Sequence, residues 1–206
     1  MEQLDIARDD TRENLLNAAL GQFAQRGFYG ASIAQIAGEL NLTKQALLYY
    51  FKRKEDLYNE VLKRISQRLL AAMRSSIEST EDPAEQFEDM ILGIHAEAQR
   101  SPLDSKVLMR ELMDNQRQAA PPEQWHLKLF LDEIVGQLDK VDGLAALPFH
   151  KKFACVYQIL SAIEYFAVSG PALSRMYGAK EFGGINDAYS EELRAQVRRL
   201  IAFGAG

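Results

Sequence analysis

The segment from Ser32 to Leu57 constrains the fold of this chain of 206 residues more than any other. It reads SIAQIAGELNLTKQALLYYFKRKEDL. Two short stretches with helical spacing of apolar residues lie on either side of Asn41, a residue type that tolerates left-handed backbone. Ser32 and Thr43 are of the types that cap helix N-termini. This layout predicts a helix-turn-helix, in which the second helix enters the major groove of DNA.

Apolar residues at helical spacing predict further helices on both sides of this motif. The first runs from Arg12 to Arg26, with Thr11 as N-cap and Gly27 as a left-handed C-terminal residue. The second helix of the motif is expected to end near Lys52. The remaining helices are predicted at about 53–75, 83–100, 103–113, 123–138, 148–169 and 187–203. Breaks are predicted at 119–122 and at 170–171, and a loop at 178–186.

No part of the chain shows the alternation of apolar and polar residues typical of strands, so the predicted fold is all-α. We expect an N-terminal three-helix domain of the helix-turn-helix DNA-binding type over residues 8–68, with the motif itself at about 31–51. The rest, residues 69–206, is expected to form a helical ligand-binding and dimerisation domain. The helix at 148–169 is apolar on nearly all sides, which indicates burial in a core or against a second subunit.

The distribution of charge is compatible with a DNA partner despite a net charge of −5. Residues 1–64 hold 9 basic and 9 acidic side chains, whereas residues 65–206 hold 15 basic and 20 acidic ones. The negative excess therefore lies outside the predicted DNA-binding domain. That domain contains a local basic cluster, formed by Lys44, Lys52, Arg53 and Lys54. DNA binding requires a local basic patch of this kind and not a positive net charge of the whole protein.

Residues 11–64 resemble the TetR family of bacterial transcriptional regulators. The shared features are Gly27 followed by two aromatic residues, the helix capped by Ser32, the Leu42-Thr43-Lys44 turn, and the Tyr50-Phe51 pair before a Lys-Glu-x-Leu segment. The resemblance implies a cytoplasmic homodimer, most often a repressor, that binds double-stranded operator DNA and a small-molecule effector. Five positions depart from the family pattern, namely Ala34, Asn41, Gln45, Ala46 and Leu48.

The second helix of the motif supplies the candidate DNA-binding residues. A helix turns by about 100° per residue, so with Leu47 and Phe51 facing inward, Gln45 and Tyr49 face outward and Ala46 and Leu48 flank them. Glutamine bonds adenine through two hydrogen bonds and apolar side chains meet the thymine methyl group, which favours Gln45, Ala46 and Leu48 as base-contacting residues. The candidates for phosphate contacts are Ser32, Thr43, Lys44, Tyr49, Tyr50 and Lys54. For Tyr50, packing on the first helix is an equally good interpretation.

The C-terminal region supplies candidate residues for an apolar effector pocket, because such pockets are lined mainly by apolar and aromatic side chains. The candidates are Met109, Met113, Trp125, Phe130, Phe153 and Tyr157. Most aromatic residues of this region are expected to be ordinary core. The helix at 148–169 and the last helix are expected to pair with their counterparts in a second subunit, as in TetR-like proteins.

An enzyme, a metalloprotein and a membrane protein are disfavoured by the sequence. His95, His126 and His150 lack metal-ligand spacing, and no phosphate-binding glycine loop or Gly-x-Ser-x-Gly segment is present, so no catalytic residue, metal or cofactor is predicted. The apolar runs are too short to span a bilayer. One alternative stays open: because Ala34 and Leu48 remove phosphate contacts typical of the family, the chain could be a helical small-molecule binding or interaction module without specific DNA binding.

Overall fold

The structure is a computed structural model that describes residues 2–77, 80–114 and 126–204. These residues form nine α-helices and no strand, which confirms the all-α prediction. The helices are α1 Glu2–Gly30, α2 Ile33–Glu39, α3 Lys44–Tyr50, α4 Lys54–Ile77, α5 Pro83–Arg100, α6 Pro102–Asp114, α7 His126–Gln137, α8 Phe149–Tyr177 and α9 Ala179–Gly204. A 3₁₀ turn, Leu138–Lys140, follows α7.

The chain divides into two compact units. The first comprises Met1–Ile65 with Lys106–Ala119, and the second comprises Ser66–Ser105 with Ala120–Gly206. The first unit therefore contains α1, α2, α3, the start of α4 and the end of α6. The second contains the end of α4, the start of α6 and the remaining helices. The domain boundary predicted at residues 68 and 69 stays a prediction.

Helix α1 is longer than predicted at its N-terminus, and Thr11 lies inside the helix rather than at its cap. The ten residues before Thr11 contain no glycine or proline to interrupt helical hydrogen bonding, and most of them are good helix formers. Near the other end, Gly27 has φ 69° and ψ 176°, which separates a last turn over residues 28–30 from the main helix. The positive φ was predicted, but the ψ value places Gly27 outside the left-handed helical region.

The core of the first unit consists of aromatic and aliphatic side chains from α1 and α4. Phe23 is 1% exposed, and its ring packs edge-on against Tyr58 at 4.7 Å between centroids and beside Phe28 at 6.3 Å. Leu15 and Leu57 are fully buried. Ion pairs between Arg12 and Glu60 and between Arg64 and Glu13 join the same two helices at the surface.

In the second unit α5, α8 and α9 pack on one another, and α7 packs on α8. The centre of this packing is an aromatic group in which Phe166 of α8 stacks on Tyr189 of α9 at 3.8 Å between ring centroids. Nearby, the carboxylate of Glu88 on α5 is buried and accepts hydrogen bonds from Arg194 and Arg198 of α9. Aromatic stacking and this charged cluster together hold α9 on α5 and α8.

The predicted break at Gly170 and Pro171 is wrong, because α8 continues through both residues to Tyr177. A proline inside a helix removes one hydrogen bond and costs about 3 kcal/mol, but packing against a neighbouring helix offsets such a loss. Gly170 is buried here, and a Cβ atom added to it would lie 3.3 Å from the Phe182 ring of α9. Gly170 therefore allows close approach of two helices instead of ending one.

The loop predicted at 178–186 is also wrong, since Gly178 alone separates α8 from α9. Gly178 has φ 83°, in the region that favours glycine, and Ala179 begins the next helix. Gly183 and Gly184 lower helix propensity, but Phe182 packs beside Phe166 at 6.2 Å between centroids and anchors this first part of α9. Tertiary packing thus outweighs local propensity.

Three smaller differences concern helix ends. Helix α3 ends at Tyr50, two residues before the predicted end near Lys52. The last helix begins at Ala179 rather than Asp187. The helix predicted from Glu123 is described from His126 onward, and the break predicted at 119–122 lies outside the described residues.

Among the described residues α8 is the one helix that is long and apolar enough, by length and composition, to cross a membrane. The same test is passed by core helices of soluble proteins. Helix α8 packs against α5, α7 and α9, and the buried residues along it include Lys152 as well as apolar side chains. Packing inside the second unit therefore explains the buried part of its apolar surface, while Phe149 and Tyr165 stay exposed.

Candidate nucleic-acid interface

Residues 32–51 fold into a helix-turn-helix as predicted from the capping and turn residues. Asn41 has φ 56° and reverses the chain between α2 and α3. The amides of Asn41 and Leu42 donate to Gly38 O at 3.0 Å and to Ala37 O at 2.9 Å, which closes the C-terminus of α2. Thr43 caps α3, since its Oγ1 accepts a hydrogen bond of 3.1 Å from the Ala46 amide. The cap predicted for α2 is confirmed only in position: Ser32 is the N-cap residue with extended backbone, but the predicted side-chain capping bond is not formed.

Leu47 and Phe51 face the core, as predicted by counting positions around the helix. Leu47 is fully buried and Phe51 is 5% exposed. Ile36 and Ala37 of α2 are fully buried as well. Because α3 has only two turns, it depends on this packing rather than on its own helical propensity.

The outward side of α3 carries the residues predicted to contact DNA. Lys44, Gln45 and Tyr49 are exposed, and Tyr49 leaves 59% of its side chain in solvent. Ala46, Leu48 and Tyr50 are half-buried at the edges of this surface. The rings of Tyr49 and Tyr50 meet edge to face at 5.5 Å between centroids. The structure thus brings together six of the nine predicted residues on one helix, with Thr43 at its cap.

Lys54, another predicted phosphate contact, is engaged within the first unit. Its Nζ donates a hydrogen bond of 3.0 Å to the backbone oxygen of Ala31 and lies 4.6 Å from the centre of the Phe28 ring. Ala31 immediately precedes Ser32, the N-cap of α2. The ammonium group of Lys54 therefore ties the start of α4 to the start of α2, which is a positioning role that the sequence did not predict.

Replacing Lys54 with alanine should lower the free energy of unfolding by about 1–3 kcal/mol, because a charged hydrogen bond and a cation–π contact are lost. Chemical denaturation monitored by circular dichroism measures this change. Lys52→Ala is the matched control, since Lys52 is exposed in the same turn. Normal stability of Lys54→Ala combined with weaker DNA binding would instead establish a direct phosphate contact.

The basic cluster at 52–54 is only partly available to a ligand. Arg53 forms an ion pair of 2.8 Å with Asp56 one turn later. Lys54 is held by Ala31, as described above, whereas Lys52 is exposed. The exposed lysines of the motif are therefore Lys44, at the first position of α3, and Lys52, beyond its end.

Polar contacts fix α2 and α6 on α1. Gln22 of α1 donates a hydrogen bond to Glu39 of α2, and Arg26 donates one of 3.3 Å to Gln35. The Arg110 guanidinium of α6 donates to two backbone oxygens of α1, Ala24 O at 3.0 Å and Gln25 O at 3.1 Å. These carbonyls precede Gly27, where the helix bends, so Arg110 caps the main part of α1.

A second bond, within the first unit, joins the same part of α6 to α4. The hydroxyl of Tyr58 on α4 donates a hydrogen bond of 2.9 Å to Glu111. Arg110 and Glu111 were not predicted to have any role. They lie more than fifty positions from their partners, and no local pattern in the sequence identifies such pairs.

The predicted effector-binding residues belong to both units of the chain. Met109 and Met113 belong to the first unit, and Met113 is 69% exposed. Phe130 of α7 is buried in the second unit. Trp125 lies outside the described residues. The roles of all of these side chains in binding an effector stay predictions.

Phe153 and Tyr157 lie in an aromatic row on α8. The row begins at Phe149, whose ring centroid lies 5.9 Å from that of Phe153, which in turn lies 5.4 Å from that of Tyr157. Phe149 is 60% exposed and Tyr157 is 39% exposed. Because residues four apart share one face of a helix, this row forms an exposed apolar stripe.

His95 is a core histidine. Its ring centroid lies 6.3 Å from that of Phe166 and 5.5 Å from that of Tyr189, and Nε2 lies 3.1 Å from the Ser190 hydroxyl. Burial lowers the pKa of His95, which favours its neutral form. Within the described part of the chain, no three His, Cys, Asp or Glu side chains are grouped as they would be around a metal ion.

Comparison with known proteins places the helix-turn-helix in a known family of domains. Residues 15–61 match the family model described as bacterial regulatory proteins, tetR family. The HTH-type transcriptional regulator RutR of Escherichia coli K12 is 28% identical over 197 residues, which cover 94% of this chain and 89% of RutR. The probable acrEF/envCD operon repressor of the same strain is 34% identical over 86 residues, covering 41% of this chain and 39% of that protein.

The whole fold is shared with solved structures. The crystal structure of a TetR family transcription regulator from Marinobacter aquaeolei VT8 is similar with a TM-score of 0.71. The similarity covers 96% of both chains at 18% sequence identity. At this identity the likeness establishes the fold alone. An N-terminal helix-turn-helix followed by a larger helical region is therefore an arrangement already known from experiment.

Proposed function

Because this chain is a DNA-binding transcriptional regulator of the TetR family, we propose that it is a homodimeric repressor released from its operator by a small molecule. The observation that carries this proposal is the outward face of α3. There Gln45 and Lys44 are exposed while Leu47 holds the helix in the core. A short helix presented in this way fits the major groove.

The proposed interface divides into contacts that select bases and contacts that position the protein. Gln45, Ala46 and Leu48 face the base edges, where the glutamine amide pairs with adenine and the apolar side chains meet thymine methyl groups. Ser32, Thr43, Lys44, Tyr49 and Tyr50 contact phosphates. Lys54 positions α2 through Ala31 and contributes to DNA binding indirectly. The operator is therefore expected to contain A·T pairs opposite α3.

Dimerisation is supported by the exposed apolar side chains of α8 and α9. Phe149 and Tyr165 of α8 are 60% and 67% exposed, and Phe203 near the end of α9 is 79% exposed. A monomer seldom leaves such a stripe in water. Pairing α8 and α9 with their counterparts in a second subunit covers these exposed side chains. The two copies of α3, about 34–36 Å apart, then contact the two halves of a palindromic DNA site.

The effector is proposed to bind the second unit and to favour a state of the dimer that does not bind DNA. A ligand shifts this equilibrium only by the ratio of its affinities for the two states. Because this coupling is reciprocal, bound DNA must weaken ligand binding by the same factor by which the ligand weakens DNA binding. Like other regulators of the family, the protein is expected to act in the cytoplasm, in contact with DNA and without a membrane partner.

The first test is a titration of the protein against the DNA upstream of its own gene, at several salt concentrations. The logarithm of the affinity is expected to fall linearly with the logarithm of the salt concentration. Replacing Lys44 with alanine should reduce this slope by about 1 for each subunit, hence about 2 for the dimer, and should weaken binding to all sequences alike.

Lys180→Ala serves as the matched control, because it removes the same charge from an exposed site at the start of α9. It should leave the salt slope unchanged. If wild-type protein forms no specific, salt-sensitive complex, the repressor proposal fails. If Lys44→Ala binds DNA like the wild type, α3 is not the DNA-contacting element, and the interaction-module alternative gains support.

A further inference from the structure

The end of the main part of α1 is held by a side chain from α6. Two donors of the Arg110 guanidinium bind consecutive backbone oxygens, Ala24 O at 3.0 Å and Gln25 O at 3.1 Å. The last carbonyl oxygens of a helix lack donors within the helix, and the C-terminal end of the helix dipole favours a positive charge. Arg110 supplies both the donors and the charge, from a position 85 residues after Gln25.

The conformation of Gly27 gives this external cap its importance. A helix is commonly closed by a glycine in the left-handed helical region, which lets the amides of the following residues bind the last carbonyl oxygens. Gly27 has a φ of 69°, but its ψ of 176° lies outside that region. The chain therefore leaves the main part of α1 without the common cap, and the guanidinium of Arg110 provides donors in its place.

The capped end of α1 leads directly to the helix-turn-helix. Residues 28–32 connect Gly27 to α2, and within this connection the Ala31 amide donates to Gly27 O at 3.2 Å. Helix α2 packs on α1 and on α3. Because α2 and α3 have seven residues each, they depend on this packing rather than on their own helical stability. A shift at the end of α1 therefore moves α2 and α3 with it.

The next residue of α6 holds the aromatic ring on which this connection packs. The carboxylate of Glu111 accepts a hydrogen bond of 2.9 Å from the Tyr58 hydroxyl. Tyr58 is 2% exposed, and its ring centroid lies 5.1 Å from that of Phe28, the residue after Gly27. Glu111 thus fixes the ring that supports the start of the connection. We call Arg110 and Glu111 the α6 pair.

From these contacts we infer that the α6 pair consists of positioning residues for DNA recognition. Arg110 and Glu111 hold the end of α1 and its connection to α2, and thereby the orientation in which α3 meets the base edges. The inference rests on the proposed function, because it takes α3 as the element that contacts bases. The pair contributes to specificity, since base contacts depend on the placement of α3, whereas non-specific binding depends mainly on charge.

The test compares specific and non-specific DNA binding of the full-length protein. Wild type and Arg110→Ala are titrated against DNA from upstream of the gene and against a duplex of equal length with shuffled sequence. Arg110→Ala should bind the upstream DNA roughly tenfold more weakly, the effect of losing one charged hydrogen bond. Its affinity for the shuffled duplex and the salt dependence of specific binding should stay unchanged. A lost phosphate contact would instead lower both affinities and reduce the salt slope.

Arg100→Ala is the matched control, because it removes the same charge from α5, where Arg100 pairs with Glu97 three residues earlier. It should bind both duplexes like the wild type. Arg110→Lys keeps the charge and one donor group, so its specific affinity should lie between those of the wild type and Arg110→Ala. Equal losses on both duplexes by an Arg110→Ala protein that circular dichroism shows to be folded, or wild-type specific affinity in that variant, overturns the inference.

A second set of variants does not depend on the stability of Arg110→Ala. Tyr58→Phe keeps the buried ring and removes only the hydroxyl that binds Glu111. Tyr58→Phe and Glu111→Ala should each weaken binding to the upstream DNA but not to the shuffled duplex. The double variant should lose no more than the larger single loss, because both changes remove the same bond. Additive losses would show that Glu111 does not act through Tyr58 and would overturn its assignment.

Hydrogen exchange without DNA separates this inference from the proposed function. Amides of residues 28–51 should exchange faster in Arg110→Ala than in the wild type, while those of α5 and α9 should be unchanged. If the wild type forms no specific complex with the upstream DNA, the repressor proposal fails, and the exchange pattern still decides whether Arg110 holds α2 and α3. Unchanged exchange of residues 28–51 overturns the inference in either case.

Discussion

Replacing Gln45 with alanine is expected to weaken specific operator binding by about 1–3 kcal/mol for each subunit, or about 5- to 150-fold. In a dimer both half-sites lose the contact, so the total approaches twice that free energy. The reason is geometric: Gln45 is exposed on the face of α3 opposite Leu47, and its amide matches the N6 and N7 positions of adenine. Fluorescence anisotropy on labelled operator DNA measures the change.

The pattern of the loss matters as much as its size. Gln45→Ala should bind the operator and a variant with one replaced A·T pair nearly equally, whereas Lys44→Ala should keep the original preference. Gln25→Ala, an exposed glutamine on α1, is the matched control and should change neither affinity nor preference. A full base preference in Gln45→Ala would exclude this side chain from base recognition.

The largest expected effect on stability follows from Phe23→Ala, at about 3–5 kcal/mol. Phe23 is 1% exposed and lies between Phe28 and Tyr58 in the core of the first unit. Truncation leaves a cavity there and removes two aromatic contacts. Because whole domains are stable by only about 5–15 kcal/mol, the loss should remove a large part of the stability of this unit.

Hydrogen exchange resolved by peptide measures where the structure loosens. Protection should fall in α1 and the start of α4, and operator binding should be lost with it. Tyr29→Ala is the control, since Tyr29 is 60% exposed and its loss should cost less than about 1 kcal/mol. Wild-type exchange rates in Phe23→Ala would show that this aromatic core is not essential to the unit.

Local sequence signals predicted the parts of the structure that depend on local chemistry. Asn41 reverses the chain and Thr43 caps α3 as expected, because backbone conformation and capping depend on the residue itself. The inward side of α3 followed from helical geometry and the apolar residues Leu47 and Phe51. The family resemblance supplied the expectation of a regulator, and the comparisons bear it out.

The errors arose where packing between distant segments decides the outcome. Gly170 and Pro171 have the composition of a helix end, yet contact with Phe182 keeps α8 continuous. The role of Lys54 depends on Ala31, which lies 23 positions earlier in the chain. The ion pair between Arg68 and Asp104 likewise joins α4 to α6 across 36 positions of the chain. The partners of these contacts lie on different elements of the fold, and the pattern within one helix does not show which other segment packs against it.

The two-turn length of α3 has a consequence for how such a protein diversifies. Stability constrains Leu47 and Phe51, which are buried, and Thr43, which caps the helix. Gln45 and Tyr49 stand in solvent, where substitution costs little folding free energy. Mutations at these outward positions can therefore accumulate without loss of the fold. After gene duplication, the operator preference of one copy can change while its folded structure stays the same.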